Sequence, residues 1–323
     1  MADEPAVSAA TASGLPPLPR RRCTAVTLSA LSAVALFTVV VIMLAVIVRW
    51  RASQQVEVVP FTSMSDFSGV AVDTAGDIYI TEGVNNRVLE LPAGSNTWVQ
   101  LPFTGLNAPG GVAVDSAGNV YIADAGNFRV LKLLAASDTQ VEVPFTGLDV
   151  PVGVAVDSAG NVYTTAGNAA LKLPVRSNAQ TELPLTGLWG PAGVAVDSGG
   201  NVYITDAGNR RVLKLLAGSN TQVELPFSDL RDPTGVAVDT AGNVYLANAD
   251  LVDASNSQVL KLPAGANTSV DLPFSGLNHP DGVAVDTAGN VYIPDLADGR
   301  VLKLSAGSTT QVELPVTGLA ARP

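Results

Sequence analysis

The stretch that decides the fold is GVAVDSAGNVYIADAGNFRVLKL, residues Gly111–Leu133. Its first five letters, GVAVD, occur six times in the chain. The copies begin at Gly69, Gly111, Gly153, Gly193, Gly235 and Gly282, with spacings of 42, 42, 40, 42 and 47 residues. Repeats of about 40 to 45 residues that alternate apolar and polar side chains are typical of a β-propeller with one four-stranded blade per repeat. The sequence therefore predicts an all-β, six-bladed β-propeller.

One repeat accounts for the four strands of one blade. GVAVD supplies a short innermost strand, and residues 119–123, 129–133 and 140–145 supply the next three. All six tyrosines of the chain occupy one equivalent position in the second strand, which indicates packing between blades rather than catalysis. Glu142 and Pro144 suit the fourth strand to an exposed sheet edge, because charge and proline discourage further pairing.

Closure of the ring is ambiguous at the level of sequence. Both Gln55–Phe61 and Gln311–Val316 resemble the fourth strand, so seven such segments compete for six positions. We expect the C-terminal hairpin to hold the fourth position of the last blade, because its connecting turn is short. The N-terminal segment would then add outside it or lead towards a membrane. The alternative is that the N-terminal strand closes the ring.

The N-terminal region predicts a membrane anchor. Residues 23–48 carry no charge, and they exceed the roughly 20 apolar residues that span a bilayer. The apolar core of a cleaved signal peptide is shorter, about 7 to 15 residues. We therefore expect one transmembrane helix at 23–48, after a disordered tail (1–22) and before a linker (49–54) and the propeller (55–323). Three arginines before the span and two after it give only a weak preference for a cytoplasmic N-terminus.

Composition excludes several classes of function. Residues 52–323 contain 13 basic and 27 acidic residues, a net charge of −14, which disfavours nucleic acid and anionic lipid. A single cysteine excludes an intrachain disulfide. A single histidine, His279, cannot build a multi-histidine metal site, and no nucleophile motif is present. We therefore predict no metal, no cofactor and no nucleic-acid partner.

Candidate binding residues are those that break the repeat in the connections entering the innermost strands. A consensus residue would have served the structure equally well at these positions, so departures favour a functional role. The candidates are Met64, Asp66, Phe67, Trp189, Arg231, Asp232, His279 and Asp281. Acid–arginine pairs that recur at fixed spacing, such as Asp124 and Arg129, are expected instead to form blade-to-blade ion pairs or turn hydrogen bonds. The oxygen-rich insertion at 248–256 favours a solvated loop over a Ca²⁺ site, since its spacing matches no known cage.

The phrase at Gly111–Leu133 resembles the NHL repeat, and six such repeats over about residues 55–319 resemble a six-bladed NHL propeller. The repeats are rich in alanine, glycine and asparagine, and an apolar segment lies just upstream of them. In both respects the chain resembles the extracellular sensor domain of mycobacterial receptor serine/threonine kinases of the PknD type. That resemblance implies an outward-facing propeller and an N-terminal tail inside the cell. It does not imply a kinase, because the glycine-rich phosphate loop, the His-Arg-Asp and the Asp-Phe-Gly motifs are absent.

These observations predict a binding or sensor module. We expect a single-pass protein of the cell membrane whose extracytoplasmic propeller binds a protein, a glycan or a small molecule. One alternative is an enzyme that resembles propeller lactonases, streptogramin lyases or amidating lyases. A second is the sensor half of a receptor kinase whose kinase domain lies upstream.

Overall fold

The computed structural model places the repeats in six sheets, one for each GVAVD copy among the described residues, and the four strands of each repeat pair antiparallel. The structure describes residues 67–315 and 319–321. The predicted tail, transmembrane helix and linker (1–54) and the strand Gln55–Phe61 lie outside this range. Within the described residues, no helix is long and apolar enough to cross a bilayer.

The first three blades follow the chain order from the innermost to the outermost strand. Blade 1 contains β1 (Phe67–Val72), β2 (Ile78–Glu82), β3 (Arg87–Leu91) and β4 (Trp98–Gln100). Blade 2 contains β5 (Pro109–Val114), β6 (Val120–Asp124), β7 (Arg129–Leu134) and β8 (Thr139–Val143). Blade 3 contains β9 (Pro151–Val156), β10 (Val162–Ala166), β11 (Ala169–Leu173) and β12 (Thr181–Glu182).

The remaining blades keep the same order. Blade 4 contains β13 (Pro191–Val196), β14 (Val202–Asp206), β15 (Arg211–Leu215) and β16 (Gln222–Glu224). Blade 5 contains β17 (Asp232–Val238), β18 (Val244–Ala249), β19 (Gln258–Leu262) and β20 (Val270–Asp271). Blade 6 contains β21 (Ala284–Val285), β22 (Val291–Asp295), β23 (Arg300–Leu304) and β24 (Gln311–Glu313). A last strand, β25 (Leu319–Ala321), joins blade 1, and three 3₁₀ helices lie between second and third strands: η1 (Ala125–Asn127), η2 (Ala207–Asn209) and η3 (Ala254–Asn256).

The predicted packing role of the tyrosines is confirmed. Tyr121 of blade 2 is buried in the same core cluster as Val154 and Val162 of blade 3, and each blade interface repeats this contact. The tyrosine also does more than fill space. Its hydroxyl donates to Asp115 at 3.0 Å, and the ammonium of Lys132 lies 4.8 Å from the ring centre. Burial, with the Asp115 carboxylate beside it, raises the pKa of Tyr121.

Glycine is required where the innermost strands converge. A Cβ atom on Gly111 would lie 2.9 Å from the carbonyl oxygen of Val152 in the next blade. On Gly193 it would lie 2.8 Å from the carbonyl oxygen of Thr234. Any larger residue would therefore force neighbouring blades apart, which is why the repeat begins with glycine.

The C-terminal segment closes the ring. β24 pairs with β23 as the fourth strand of blade 6, which confirms the predicted C-terminal hairpin. β25 then pairs in parallel with β4 at the outer edge of blade 1, which the sequence analysis did not predict. Trp98 of β4 is 0% exposed, shares a core cluster with Tyr292 of blade 6, and donates its indole N–H to the Pro315 carbonyl at 3.0 Å.

Candidate functional site

The connections that enter the innermost strands lie at one end of the central channel, together with the loops between second and third strands. We call this end of the propeller the loop face. A cavity of about 290 Å³ opens there and is lined by residues of all six blades. The opposite end of the channel is lined by the valines and alanines of the GVAVD copies. Along the channel, the lining residues that differ between blades therefore lie at the loop face.

One equivalent position in each blade forms the channel mouth, namely the residue before the glycine of GVAVD. In blade order these mouth residues are Ser68, Gly110, Val152, Ala192, Thr234 and Asp281. Blades 5, 6 and 1 are neighbours in the ring, so Thr234, Asp281 and Ser68 form a polar arc. Blades 2, 3 and 4 supply an apolar arc. Among the described residues that line this cavity, Asp281 is the one with a charged side chain.

A proline in the adjacent strand sets the backbone beside Asp281. Gly235 of blade 5 pairs with Ala247, but the equivalent of Ala247 in blade 6 is Pro294, which has no N–H to donate to a sheet. β21 accordingly shrinks to two residues. Gly282 adopts φ +109°, unlike the other five GVAVD glycines, and the Asp281 N–H donates to the Pro294 carbonyl at 3.1 Å. The sequence offered a signal that we missed, since Pro294 is the only proline at its position in the six repeats.

The carboxyl of Asp281 is electrostatically unusual. Asp281 keeps part of its surface open to the channel but lies deep in the protein. This burial, together with the Asp232 carboxylate, raises the pKa of the Asp281 carboxyl to about 7. Burial also raises the pKa of Asp232, against the opposing effect of His279 and Arg210. Within the described residues, neither carboxylate accepts a hydrogen bond at its side chain. The mouth thus holds a carboxyl that is close to half protonated at neutral pH.

The candidate residues fall into two groups. Asp232 and His279 occupy equivalent positions, each before a proline, in the loops entering blades 5 and 6, and both lie near Asp281. Trp189, 67% exposed, belongs to the loop entering blade 4, while the exposed Arg231 places its guanidinium 4.0 Å from Asp250. Phe67 begins β1 and pairs with Glu82. Met64 and Asp66 lie outside the described residues. Ser68 and Thr234 were not among the residues predicted from sequence. Their difference from the repeat is visible only when the mouth position is compared across all six blades.

Exposed apolar side chains also gather on the loop face. Some of them have no large apolar equivalent in the other blades, and we call this set the apolar crown. Its members are Val84, Phe128, Val150, Val152, Trp189, Leu251 and Val252. Phe128 and Val150 adopt positive φ of 57° and 42°, an uncommon conformation for bulky side chains. The equivalent residues Asn86 and Arg210, and Ala108 and His279, also adopt positive φ, so this conformation belongs to the repeat.

The recurring acid–arginine pairs hold loops in place. Asp124 is 0% exposed, accepts the guanidinium of Arg129 at 2.8 Å and accepts the N–H of Asn107 at 2.7 Å. Arg129 also donates to the Gly105 carbonyl at 3.0 Å, in the loop that enters the same blade. The predicted turn hydrogen bonds are confirmed. The ion pair lies within one hairpin, so the predicted pairing between blades is wrong.

Blade 5 lacks the ion pair but keeps one bond to its loop, because the Oδ1 of Asn248 accepts the Arg231 N–H at 2.9 Å. Asn248 replaces the acid, Gln258 replaces the arginine, and the Nδ2 of Asn248 is buried without a hydrogen-bond partner among the described residues. In the inserted loop, Asp250 accepts the N–H groups of Val252 and Asp253 at 2.9 and 3.1 Å. Across residues 67–315, no three His, Cys, Asp or Glu side chains come together to hold a metal ion. The inserted loop is instead organised by its own hydrogen bonds.

Comparison with known proteins agrees with this architecture. The family model of the NHL repeat matches residues 106–133 and 188–215, which are the loop and first three strands of blades 2 and 4. No curated protein matches the chain in sequence. Together with the six sheets, the match shows an NHL-repeat six-bladed β-propeller.

Several solved structures share the fold. Virginiamycin B lyase from Staphylococcus aureus is 13% identical, with a TM-score of 0.60 over 79% of this chain and 86% of the enzyme. A gluconolactonase from Xanthomonas campestris is 15% identical, with a TM-score of 0.62 over 75% of this chain and 86% of the other. A chain of a nidogen/laminin complex is 20% identical, with a TM-score of 0.57 over 64% of this chain and 80% of the other. At such low identity these similarities show the fold alone. The finer resemblance to receptor-kinase sensor domains stays a prediction.

Proposed function

We propose that this propeller is a ligand-binding module and that the loop face is its binding surface. The observation that carries the proposal is the apolar crown, whose large side chains are exposed on the loop face and are not repeated in the other blades. Exposed apolar groups gathered on one face of a soluble domain mark interaction sites. Loops on a rigid scaffold are also where proteins of this kind place recognition residues.

Other exposed apolar side chains have a different explanation. Val141, Val223, Val270 and Val312 occupy one repeated position in the outermost strands, where a half-exposed edge strand uses valine for packing. Val175 lies in the turn between β11 and β12, on the face opposite the loop face. These residues therefore serve as controls for the crown.

The binding test uses crown variants against such a control. Envelope proteins, glycans and small molecules are screened for binding to the immobilised full chain, and each hit is measured against Trp189→Ala, Phe128→Ala and Val312→Ala. The Trp189→Ala and Phe128→Ala substitutions should each weaken binding by about 2 kcal/mol if these side chains contact the ligand centrally. The Val312→Ala substitution should change the binding free energy by under about 0.5 kcal/mol. Equal effects of all three substitutions would contradict the proposal.

Intrinsic fluorescence gives a second readout. Trp98 is 0% exposed and Trp189 is 67% exposed, so iodide should quench Trp189 selectively within the propeller. A ligand on the loop face should protect Trp189 from iodide. Unchanged quenching in the presence of bound ligand would place that ligand elsewhere.

The cellular location is part of the same proposal. The uncharged segment 23–48 supports a membrane anchor, and the family resemblance supports a propeller outside the cytoplasm. Protease added to spheroplasts should release or digest the propeller while a tag at Met1 remains protected. A protected propeller would overturn this topology.

Proton-transfer catalysis is the second candidate function. Its support is Asp281, a carboxyl with pKa about 7 in a cavity beside Asp232 and His279, because a group that titrates near neutral pH can act as a general acid or base. Purified chain should be assayed with gluconolactone and with quinupristin. Turnover abolished by Asp281→Asn and by His279→Ala would favour this candidate over a binding module.

A further inference from the structure

We propose that the channel mouth binds an ammonium group carried on a short hydrocarbon stem, with Asp281 receiving the cation and the apolar arc contacting the stem. This inference rests on the proposed ligand-binding role of the loop face and names the chemistry of its central subsite. A lysine side chain of a bound protein and a free alkylamine both carry such a group. The test below separates these two sources.

The shape and lining of the cavity favour this ligand. At about 290 Å³ the cavity is at the lower limit of ligand pockets, which run from about 300 to 1,000 Å³, so it suits a side chain or a small molecule. Its two arcs differ in chemistry. Gly110, Val152 and Ala192 present no side-chain polar atom. Thr234 and Ser68 carry hydroxyls on the two neighbouring blades, and the Thr234 hydroxyl, which donates to the Pro280 carbonyl at 3.0 Å, can still accept. A ligand with one charged end and one apolar side matches both arcs.

The negative charge at the channel mouth favours a cationic ligand. Asp281 has no hydrogen-bond donor among the described residues, and the nearby Asp232 carboxylate adds a second negative charge. A desolvated carboxylate without a partner is costly, so a cation in the mouth would relieve an existing penalty. An anion would meet both carboxylates and a domain whose net charge is −14.

An organic cation fits better than a metal ion. The mouth offers one carboxylate and two hydroxyls, whereas Ca²⁺ takes about six to eight oxygen ligands. Half of the mouth is apolar and would contribute nothing to a metal. An ammonium group needs only three acceptors, and its stem would lie against that apolar half.

The distorted backbone of blade 6 supports a built site. Pro294 prevents regular pairing opposite Gly282, and the altered segment is the one that carries Asp281. Pro294→Ala restores a backbone N–H at this position without changing any charge. If the distortion positions Asp281, this variant should weaken ammonium binding while leaving the other loops unchanged.

The primary experiment measures binding of dansylcadaverine, a fluorescent primary amine, to the full chain at pH 8 by fluorescence anisotropy. Asp281→Asn should weaken binding by about 10- to 100-fold, the range expected when a hydrogen bond to a charged group is lost. Asp149→Asn is the matched control, because Asp149 is an exposed acid on the same face in the loop entering blade 3. It should change affinity by less than about twofold.

Competitors identify the chemistry and its source. n-Pentylammonium should displace the probe, and n-pentanol, which has the same stem without the charge, should not. A lysine-containing protein ligand found through the loop face should also displace the probe, and acetylating its lysines should abolish that displacement. Displacement by the free amine alone would assign the site to small amines.

Three outcomes would overturn the inference. Equal competition by n-pentanol would show an apolar site without cation recognition. Equal losses in Asp149→Asn and Asp281→Asn would show non-specific attraction to an acidic domain. Displacement of the probe by micromolar Ca²⁺ would show a metal site instead.

Failure of this inference is distinguishable from failure of the proposed function. If the probe does not bind but an envelope ligand still protects Trp189, the loop face binds ligands of other chemistry. If the probe binds through Asp281 while Trp189→Ala and Phe128→Ala affect no ligand, the mouth is a site and the crown is not.

Discussion

Blades 2 and 5 are built from the same repeat but hold their loops differently. In blade 2 the loop before β5 is tied down by Asp124, by Arg129 and by Gln140, whose amide oxygen accepts the Thr104 N–H at 2.8 Å. In blade 5 the corresponding residues are Asn248, Gln258 and Ser269. Blade 5 has thus lost the ion pair and the tether of the Gln140 type, and it keeps the bond from the Arg231 N–H to the Asn248 Oδ1 at 2.9 Å.

The difference teaches where this fold admits variation. The less tethered loop of blade 5 carries Arg231 and Asp232, and the inserted loop beside it carries the exposed Leu251 and Val252. A loop held by fewer structural hydrogen bonds has more freedom to change its sequence and contact a ligand. We therefore regard the missing bonds and the candidate site as two aspects of one specialised blade.

The largest expected effect comes from making blade 2 resemble blade 5. Asp124→Asn removes the buried partner of Arg129 and should lower the free energy of unfolding by about 3 kcal/mol, as for other broken buried pairs. Urea denaturation measures this loss. Asp149→Asn, an exposed acid on the same face, is the control and should have little effect. A loss below about 0.5 kcal/mol in Asp124→Asn would show that the tether is dispensable.

The reverse change in blade 5 tests whether the pair can be restored. Asn248→Asp alone buries a carboxylate without its arginine and should destabilise the protein, whereas adding Gln258→Arg should recover the loss. A double-mutant cycle should give a favourable coupling of about 2 kcal/mol between the two substitutions. Strictly additive effects would mean that the insertion has moved these positions apart.

Asp281 gives a smaller, pH-dependent effect. Its pKa is about 7 in the folded protein and about 4 in an unfolded chain, so the folded state holds the proton more tightly between these values. Stability should therefore fall as pH rises from about 4 to 7 and stay lower above pH 7. Asp281→Asn removes this penalty and should stabilise the protein by about 1 to 2 kcal/mol at pH 8 but not at pH 4.

The groups that influence this titration can be tested separately. Asp232 faces Asp281, while His279 and Arg210 face Asp232. Thermal melts of Asp281→Asn and Asp232→Asn across this pH range distinguish the two carboxyls. An identical pH profile for Asp281→Asn and the parent would exclude Asp281 as the titrating group.

The smallest effect is expected from restoring the third tether. Ser269→Gln places an amide where Gln140 stands in blade 2, so that it can accept the N–H of Ser228 in the loop entering blade 5. One such hydrogen bond should add about 0.5 to 1 kcal/mol to the free energy of unfolding. Hydrogen exchange at Ser228 should slow accordingly, and unchanged exchange would show that the loop follows a different path.

The repeated features were predictable from sequence because repetition displays them six times. The GVAVD spacing predicted the blades, and the single tyrosine per repeat predicted packing between blades. The hydrogen bond from Tyr121 and the position of Lys132 over its ring join residues from different strands, so their contact required the register of the sheet.

The site was less predictable because it depends on exceptions. Asp232, His279 and Asp281 stood out from the repeat, and the structure brings them together. The role of Pro294 was hidden, since its effect is an absent N–H opposite Gly282 in another strand. β25 was equally hidden, because three residues that pair with β4 carry no pattern of their own.

Closure of the ring by the C-terminal segment has a consequence for biosynthesis. Blade 1 emerges from the ribosome early, yet Trp98 acquires its hydrogen-bond partner Pro315 only after more than 200 further residues have been made. Until then one flank of blade 1, including Val70 and Ile80, has no blade 6 to cover it. During synthesis the incomplete ring therefore exposes the apolar surface of this flank. This surface must be protected from aggregation until blade 6 covers it in the complete ring.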